Sequence, residues 1–440
     1  MRYIFLDNFR GFEKTIVPLK DVNFLVGENS TGKTSVLALI SLLTEASFWM
    51  VAPPEFDSPE IRLGNFRDIV SANAGDKSYF RIGLFASGKY KEEEKCSAYL
   101  ITFKEEEGMP FVSRYTYMME EKQIQVKFAS KIMYKYEAPH SASPDRPEEI
   151  KNMFMTWIQE HEKSSGNYRA LKGPVSAQRT SLGALNAVLI GELGSKEKKI
   201  PLFDSRSLAF GWTSPFKNTI MLAPIRTRPR RTYDEYDRKF SPEGEHIPYL
   251  IKSYFKKGTD KEKFLKFIKK FGRNSGLFRT IDIKNFGRTV ASPFELDVAI
   301  DNDLFKIVNV GYGVSQILPV IVEIFEEEEH TCFLIQQPEI HLHPRAQFAL
   351  GNLFYEFVTL ENKYFIVETH SDFIIDSFRL RYRKSQKGKK PKGQILYFER
   401  FEGGNRLFPI EILENGNLPE EQPKGYRDFF IREQMRMLGY

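Results

Sequence analysis

Eight residues near the N-terminus, Gly27-Glu28-Asn29-Ser30-Thr31-Gly32-Lys33-Thr34, match G-x-x-x-x-G-K-S/T in full. The flanks are the ones this pattern needs. Asn23-Phe24-Leu25-Val26 ahead of it is a short apolar run of strand type. From Lys33 onward, Val36-Leu37, Leu39-Ile40 and Leu42-Leu43 recur at helical spacing. Glycines let backbone N–H groups curl around phosphate oxygens, and the helix start adds a partial positive charge. Lys33 then reaches the β and γ oxygens of a nucleoside triphosphate, and Thr34 offers a hydroxyl to Mg2+. Ser35 completes the loop.

The rest of the chain bounds the class. Its 440 residues suffice for one large or two modest domains. Lysine and arginine outnumber aspartate and glutamate by only six, too small a surplus to demand nucleic acid as a partner. Two cysteines, Cys96 and Cys332, cannot form a disulfide framework, which suits a reducing cytosol. No segment approaches the roughly 18 consecutive apolar residues of a membrane span. The charged start Met1–Phe12 lacks the features of a signal peptide. A cytoplasmic protein without membrane contact is expected.

Three parts follow along the sequence. Residues 1–137 hold Tyr3-Ile4-Phe5-Leu6 as a strand, the loop, and an antiparallel meander from about 79 to 136. Residues 138–275 open with Pro139, Pro144 and Pro147. They continue with helical patterns near 148–163, 176–195 and 246–271, around a loop at 200–240. No long heptad array occurs, so no coiled-coil arm is expected. Residues 276–440 return to α/β, with buried-strand runs at Thr331–Ile335 and Tyr364–Val367 flanking an aromatic helix. A strand at Gln394–Phe398 and a tail helix after Pro423 complete it.

The last part carries three further motifs. Asn309-Val310-Gly311-Tyr312-Gly313-Val314-Ser315-Gln316 sets glycines and a serine at a helix start, a second anion-binding surface. Phe333–Pro344 contains Gln336-Gln337-Pro338-Glu339-Ile340-His341-Leu342-His343-Pro344. Val367-Glu368-Thr369-His370-Ser371-Asp372 ends the next strand, where an α/β sheet places its ligands. His370 suits a phosphate sensor as a neutral imidazole; a plain Thr-His-Ser helix cap is the alternative.

With these motifs in order, the chain resembles the AAA-annotated ABC ATPases related to OLD-family (overcoming lysogenization defect) proteins, RecF and SMC heads. Asn8-Phe9-Arg10-Gly11-Phe12, Gly64–Val70 and Ala223-Pro224-Ile225-Arg226 extend the match, leaving 138–220 and 246–300 uncovered. The resemblance implies an α/β, ABC/SMC-head-like P-loop NTPase with an antiparallel β lobe and a mainly helical insertion. It implies ATP and Mg2+ as ligands, with the metal at Thr34, Gln336 and Asp68, Arg10 near the nucleotide, and Asp68 at the Q-loop position without its glutamine. It also implies Gly313 and Ser315 against a partner protomer's γ-phosphate, with His370 as switch histidine. Two heads then sandwich two ATP molecules in a homodimer or higher oligomer.

One departure matters. Relatives usually place a carboxylate at Gln336, the acid that holds the Mg2+ shell, and often another at Gln337. An amide cannot accept a proton from water at neutral pH. Glu339 is therefore the expected general base or water-orienting residue, with Gln337 and His370 beside it. Hydrolysis is then slow, or Gln336 is an introduced substitution that traps ATP. No nuclease motif follows Asp372, so a cutting or toxic effector would be a separate chain. Antiphage defence is the favoured setting, with DNA repair or recombination next and a nonhydrolytic scaffold as the rival class. Arg226–Tyr233 is a candidate for contact with nucleotide, nucleic acid or an acidic partner, while Lys256–Arg273 and Arg379–Lys392 are candidates for DNA phosphate against plain solvated surface.

Overall fold

The computed structural model describes residues 2–58, 61–90, 93–119, 122–137, 147–163, 167–171, 180–196, 218–234, 239–255, 258–289, 291–385, 390–426 and 428. The chain forms two compact units. One gathers Met1–Lys20, Glu28–Pro215 and Phe398–Pro409, the other Asp21–Gly27, Phe216–Tyr397 and Ile410–Tyr440. Elements are numbered in chain order.

The first unit is built on an antiparallel sheet. Its strands are β1 (Arg2–Asp7), β2 (Thr15–Leu19), β4 (Tyr79–Tyr90), β5 (Glu93–Glu106), β6 (Met109–Met119), β7 (Lys122–Phe128), β8 (Ile132–Glu137) and β9 (Arg169–Ala170). They lie in the order β2-β1-β4-β5-β6-β7-β8-β9, so the expected meander is present. Period-two alternation gives this sheet two apolar faces. On one, Phe80 stacks on Phe103 at 4.8 Å and meets Phe56 and Phe66. On the other, Tyr3, Phe5, Phe85 and Leu100 pack against Phe154, Trp157 and Ile158 of helix α4 (Pro147–Lys163). Helices α1 (Lys33–Thr44), α2 (Ala46–Met50), α3 (Phe66–Ile69) and α5 (Leu182–Lys196) also belong to this unit.

A buried ion pair ties β1 to β4. Arg81 donates from Nε (2.9 Å) and Nη2 (2.6 Å) to Asp7 Oδ2, and the Lys14 N–H donates to Oδ1. Both side chains are buried. Asp7→Asn leaves a buried guanidinium without its counter-charge, so it is expected to cost about 3–5 kcal/mol. Urea denaturation measures this; a loss under about 1 kcal/mol, the surface-pair range, means the pair contributes little.

The second unit is built on the strands β10, β14, β15, β3 and the start of β16, from a sheet of order β10-β14-β15-β3-β16-β17. These strands are β3 (Val22–Gly27), β10 (Asn218–Leu222), β14 (Thr331–Gln336), β15 (Tyr364–Glu368), β16 (Gly393–Phe401) and β17 (Gly404–Glu411). Successive pairs from β10 to β3 are parallel. Parallel strands need covered faces, which explains why every residue of β14 and β3 is buried. Phe354 of α9 (Pro344–Leu360) packs on Phe365 of β15, and Phe378 of α10 (Asp372–Lys384) on Phe24 of β3. A smaller antiparallel sheet joins β11 (Thr280–Asn285), β12 (Phe294–Ile300) and β13 (Asp303–Lys306).

Two features depart from the sequence reading. The segment expected as a loop at 200–240 contributes β10, an edge strand whose Ile220-Met221-Leu222 is too short to show a period. The helix expected at 246–271 is two, α6 (Ile247–Tyr254) and α7 (Thr259–Ser275). Gly258, at φ 141°, precedes the second. Helix α8 (Tyr312–Glu326) follows β13. Most of the expected tail helix lies outside the described residues. Among them, no helix is long and apolar enough to cross a membrane.

Candidate functional site

The phosphate-type loop adopts a conformation its sequence explains. Gly27, Ser30 and Gly32 have φ of 144°, 61° and 91°. Glycine at 27 and 32 removes the strain of that region. Gly32 is also closely covered, since a Cβ there would lie 2.5 Å from the Phe12 ring. Helix α1 starts directly after it with no side-chain cap and no acid in its first turn. Its leading N–H groups and positive end are thus available to an anion. The Glu28 carbonyl accepts from Thr31 Oγ1 at 2.8 Å and from Lys33 Nζ at 2.7 Å. Lys33 is buried, while Glu28, Asn29, Ser30 and Thr34 are exposed and Ser35 is partly so.

Phe12 brings the N-terminal motif alongside. Asn8, Arg10 and Gly11 all have positive φ, a tight turn that seats Phe12 on Gly32. Arg10 Nη2 donates to the Leu63 carbonyl at 2.5 Å, and Gly11 N–H to Ser71 Oγ at 2.8 Å. The Asn405 backbone N–H donates to the Gly11 carbonyl at 2.7 Å. The matched segments 8–12 and 64–70 are therefore one structure. Asp68, read as a metal ligand, serves α3: its Oδ2 accepts the Asn65 N–H at 3.0 Å in a capping box. That oxygen is used by the cap, and the residue is exposed.

In the second unit, the C-terminal ends of β14 and β15 hold the remaining candidates. Cross-strand register sets Gln336 opposite Glu368, and Glu368 opposite Leu25 of β3. Gln337 turns at φ 41°, its N–H bonded to the Glu368 carbonyl at 2.8 Å. This turn swings Glu339 back across the strand ends. Glu339 Oε1 accepts the His370 backbone N–H at 2.6 Å, and Oε2 accepts Thr369 Oγ1 at 2.8 Å. Burial raises the Glu339 carboxyl above its ordinary range, opposed by these hydrogen bonds and by the charge of Arg226. A positioned carboxylate with a raised pKa is suited to take a proton from water.

Ser371 and His343 are helix caps. Ser371 Oγ accepts from Ile374 N–H and donates to Gln347 Oε1, while His343 Nδ1 accepts from Arg345 N–H. The plain capping alternative therefore holds for Ser371, while Thr369 and the His370 backbone serve Glu339. At the head of α8, Gly313 lies against the His341 carbonyl, where a Cβ would come within 2.8 Å. Ser315 is buried, its Oγ donating to the Tyr312 carbonyl at 2.8 Å. The exposed side chain here is Tyr312, edge-on to His341 at 5.3 Å.

Two contributors, Thr369 and Glu368, went unassigned in sequence although both lie inside a motif read there. Arg226 reads in sequence only as part of an arginine cluster suited to nucleotide, nucleic acid or an acidic partner. It is buried, donating from Nη2 to the Gln336 carbonyl at 3.1 Å. Burial draws its guanidinium down to about 10, against the pull of Glu339. At the ends of β14 and β15, the Gln336 amide oxygen and the buried Glu368 carboxylate are hard oxygen donors of the kind Mg2+ takes.

Residues 1–375 match the family model described as AAA ATPase domain. A comparison with curated proteins found no match. Among solved structures, one similar chain is the Smc head domain with an extended coiled coil bound to the C-terminal domain of ScpA, from Pyrococcus furiosus. It aligns over 99% of this chain and 100% of its own, at 10% identity and TM-score 0.39. The SMC head domain from Thermotoga maritima covers 93% and 100%, at 13% identity and TM-score 0.39. The recombination mediator protein RecF covers 92% and 97%, at 14% identity and TM-score 0.32.

Proposed function

This chain belongs to the AAA ATPase domain family, and from that premise we propose that it binds ATP with Mg2+ and hydrolyses it. The observation that carries hydrolysis is Glu339, held by Thr369 Oγ1 and the His370 N–H at the ends of two parallel strands. In this reading the amides of Gly27–Ser35 and the Lys33 amine hold the phosphates. Thr34, Gln336 and Glu368 would hold Mg2+, which when bound would offset the charge of the phosphates. Glu339 accepts the proton of the attacking water, with His370 and Gln337 beside it.

The finer reading is an ATP-gated dimer in which the Gly313–Ser315 turn of one copy covers the nucleotide of the other. The resemblance supports it, and the exposed Tyr312–His341 pair supplies a surface next to that turn. The Ser315 hydroxyl must leave the Tyr312 carbonyl to take part. Closure and opening would act on DNA or on a separate nuclease or toxin chain, through segment 138–275, in a cytoplasmic antiphage role. Sedimentation with and without ATP tests the dimer; a neighbouring gene for a nuclease or toxin tests the setting.

Gln336 favours a second reading, a nonhydrolytic nucleotide-binding scaffold. Phosphate release from the purified chain, with and without DNA, separates the two. Gln336→Glu restores a charged ligand, so at limiting Mg2+ it is expected to raise turnover about tenfold, the scale on which single groups tune metal affinity. No gain over a Mg2+ titration means that Glu368 or another oxygen already fills that role.

A further inference from the structure

Buried polar groups in folded proteins almost always find partners, and an exception points to a ligand that supplies them. Arg226 is such an exception. It is 2% exposed, and its Nε and Nη1 are buried without a hydrogen-bond partner. The residue is nonetheless held on three sides. Its N–H donates to Gln316 Oε1 at 3.3 Å, and its carbonyl accepts from Gln316 Nε2 at 3.4 Å. Its Nη2 donates to the Gln336 carbonyl at 3.1 Å. Such anchoring fixes the guanidinium beside Glu339 rather than leaving it free to reach solvent.

We propose that Arg226 is an oxyanion receptor whose unpartnered Nε and Nη1 groups bind the terminal phosphoryl group of the nucleotide next to Glu339. This rests on the ATPase reading and adds a residue to it. Charge-assisted N–H donors in a planar fork favour a phosphate. Gln316 lies on α8, so the receptor is also bonded to the helix that begins with the Gly313–Ser315 turn. Occupancy of Arg226 thereby acts on the segment assigned to meet a second copy.

The test uses the full chain, a nonhydrolysable ATP analogue and ADP, each titrated by calorimetry with Mg2+. Wild type is expected to prefer the analogue. Arg226→Met should lose about tenfold or more of that preference, with ADP affinity unchanged within about twofold, because only the terminal phosphate is lost as a partner. Arg226→Lys keeps the charge but not the planar donors, and should fall between the two. If the methionine variant fails to fold, the lysine variant decides: an intermediate preference supports the receptor, and a wild-type preference overturns it. An Arg226→Met protein with wild-type preference, or with equal losses for both nucleotides, also overturns it. Wild type binding neither nucleotide sinks the ATPase reading and this proposal together. Inorganic phosphate added without nucleotide separates the sources: binding as tight as the analogue's would assign a free-phosphate site instead.

Discussion

Glu339→Gln is expected to lower ATP turnover by about 10²- to 10⁴-fold, the usual contribution of a positioned acid–base group. Glutamine is nearly isosteric and can still accept the Thr369 hydroxyl and the His370 N–H through its one carbonyl oxygen. The turn after β14 therefore survives, while the proton acceptor is gone. ATP binding should stay within a few-fold of wild type, which makes the variant useful for trapping a closed dimer. The pH dependence gives an independent check. Burial raises the Glu339 carboxyl, opposed by the His370 N–H, Thr369 and Arg226, so the base becomes protonated at a higher pH than an ordinary glutamate. Turnover of wild type should fall on the acid side accordingly, and that limb should vanish from the residual activity of the glutamine variant. Turnover left intact by the substitution would remove Glu339 as the base.

How much of this was legible depends on the distance over which the chain speaks. The loop, its strand and its helix could be read because eight contiguous residues fix them and the apolar flanks have clear periods. The meander and the βαβ unit of β14, α9 and β15 were legible for the same local reason. Strand β10 was not, because five residues gain strand character only from β14 alongside. Arg226 was legible only in part. An arginine cluster suits contact with nucleotide, nucleic acid or an acidic partner, but nothing local shows that the bidentate amide of Gln316, 90 positions away, holds the Arg226 backbone inside. Glu368 was likewise hidden within a quoted motif, and only the register of β15 sets it opposite Gln336. At Asp68, position in a family pattern suggested a ligand, while the local chemistry the structure shows, with Asn65 three residues earlier, is half of a capping box.

Lys33→Ala is the other large effect, and it separates the loop's shape from its chemistry. Removing the ammonium takes a charged donor from the phosphates, and hydrogen bonds to charged groups are worth about 1.5–3 kcal/mol. ATP affinity should therefore fall by about 10- to 100-fold, and turnover with it. The loop itself should persist. Thr31 Oγ1 still donates to the Glu28 carbonyl at 2.8 Å, Phe12 still covers Gly32, and Gly27 and Gly32 keep their positive φ. Alanine is also the best residue for the first turn of α1, so thermal stability should change little. Nucleotide titration beside a thermal melt checks both halves. An unfolded variant would make Lys33 a structural residue that closes the loop through Glu28, and undiminished ATP binding would remove the phosphate-holding role from which the functional reading starts.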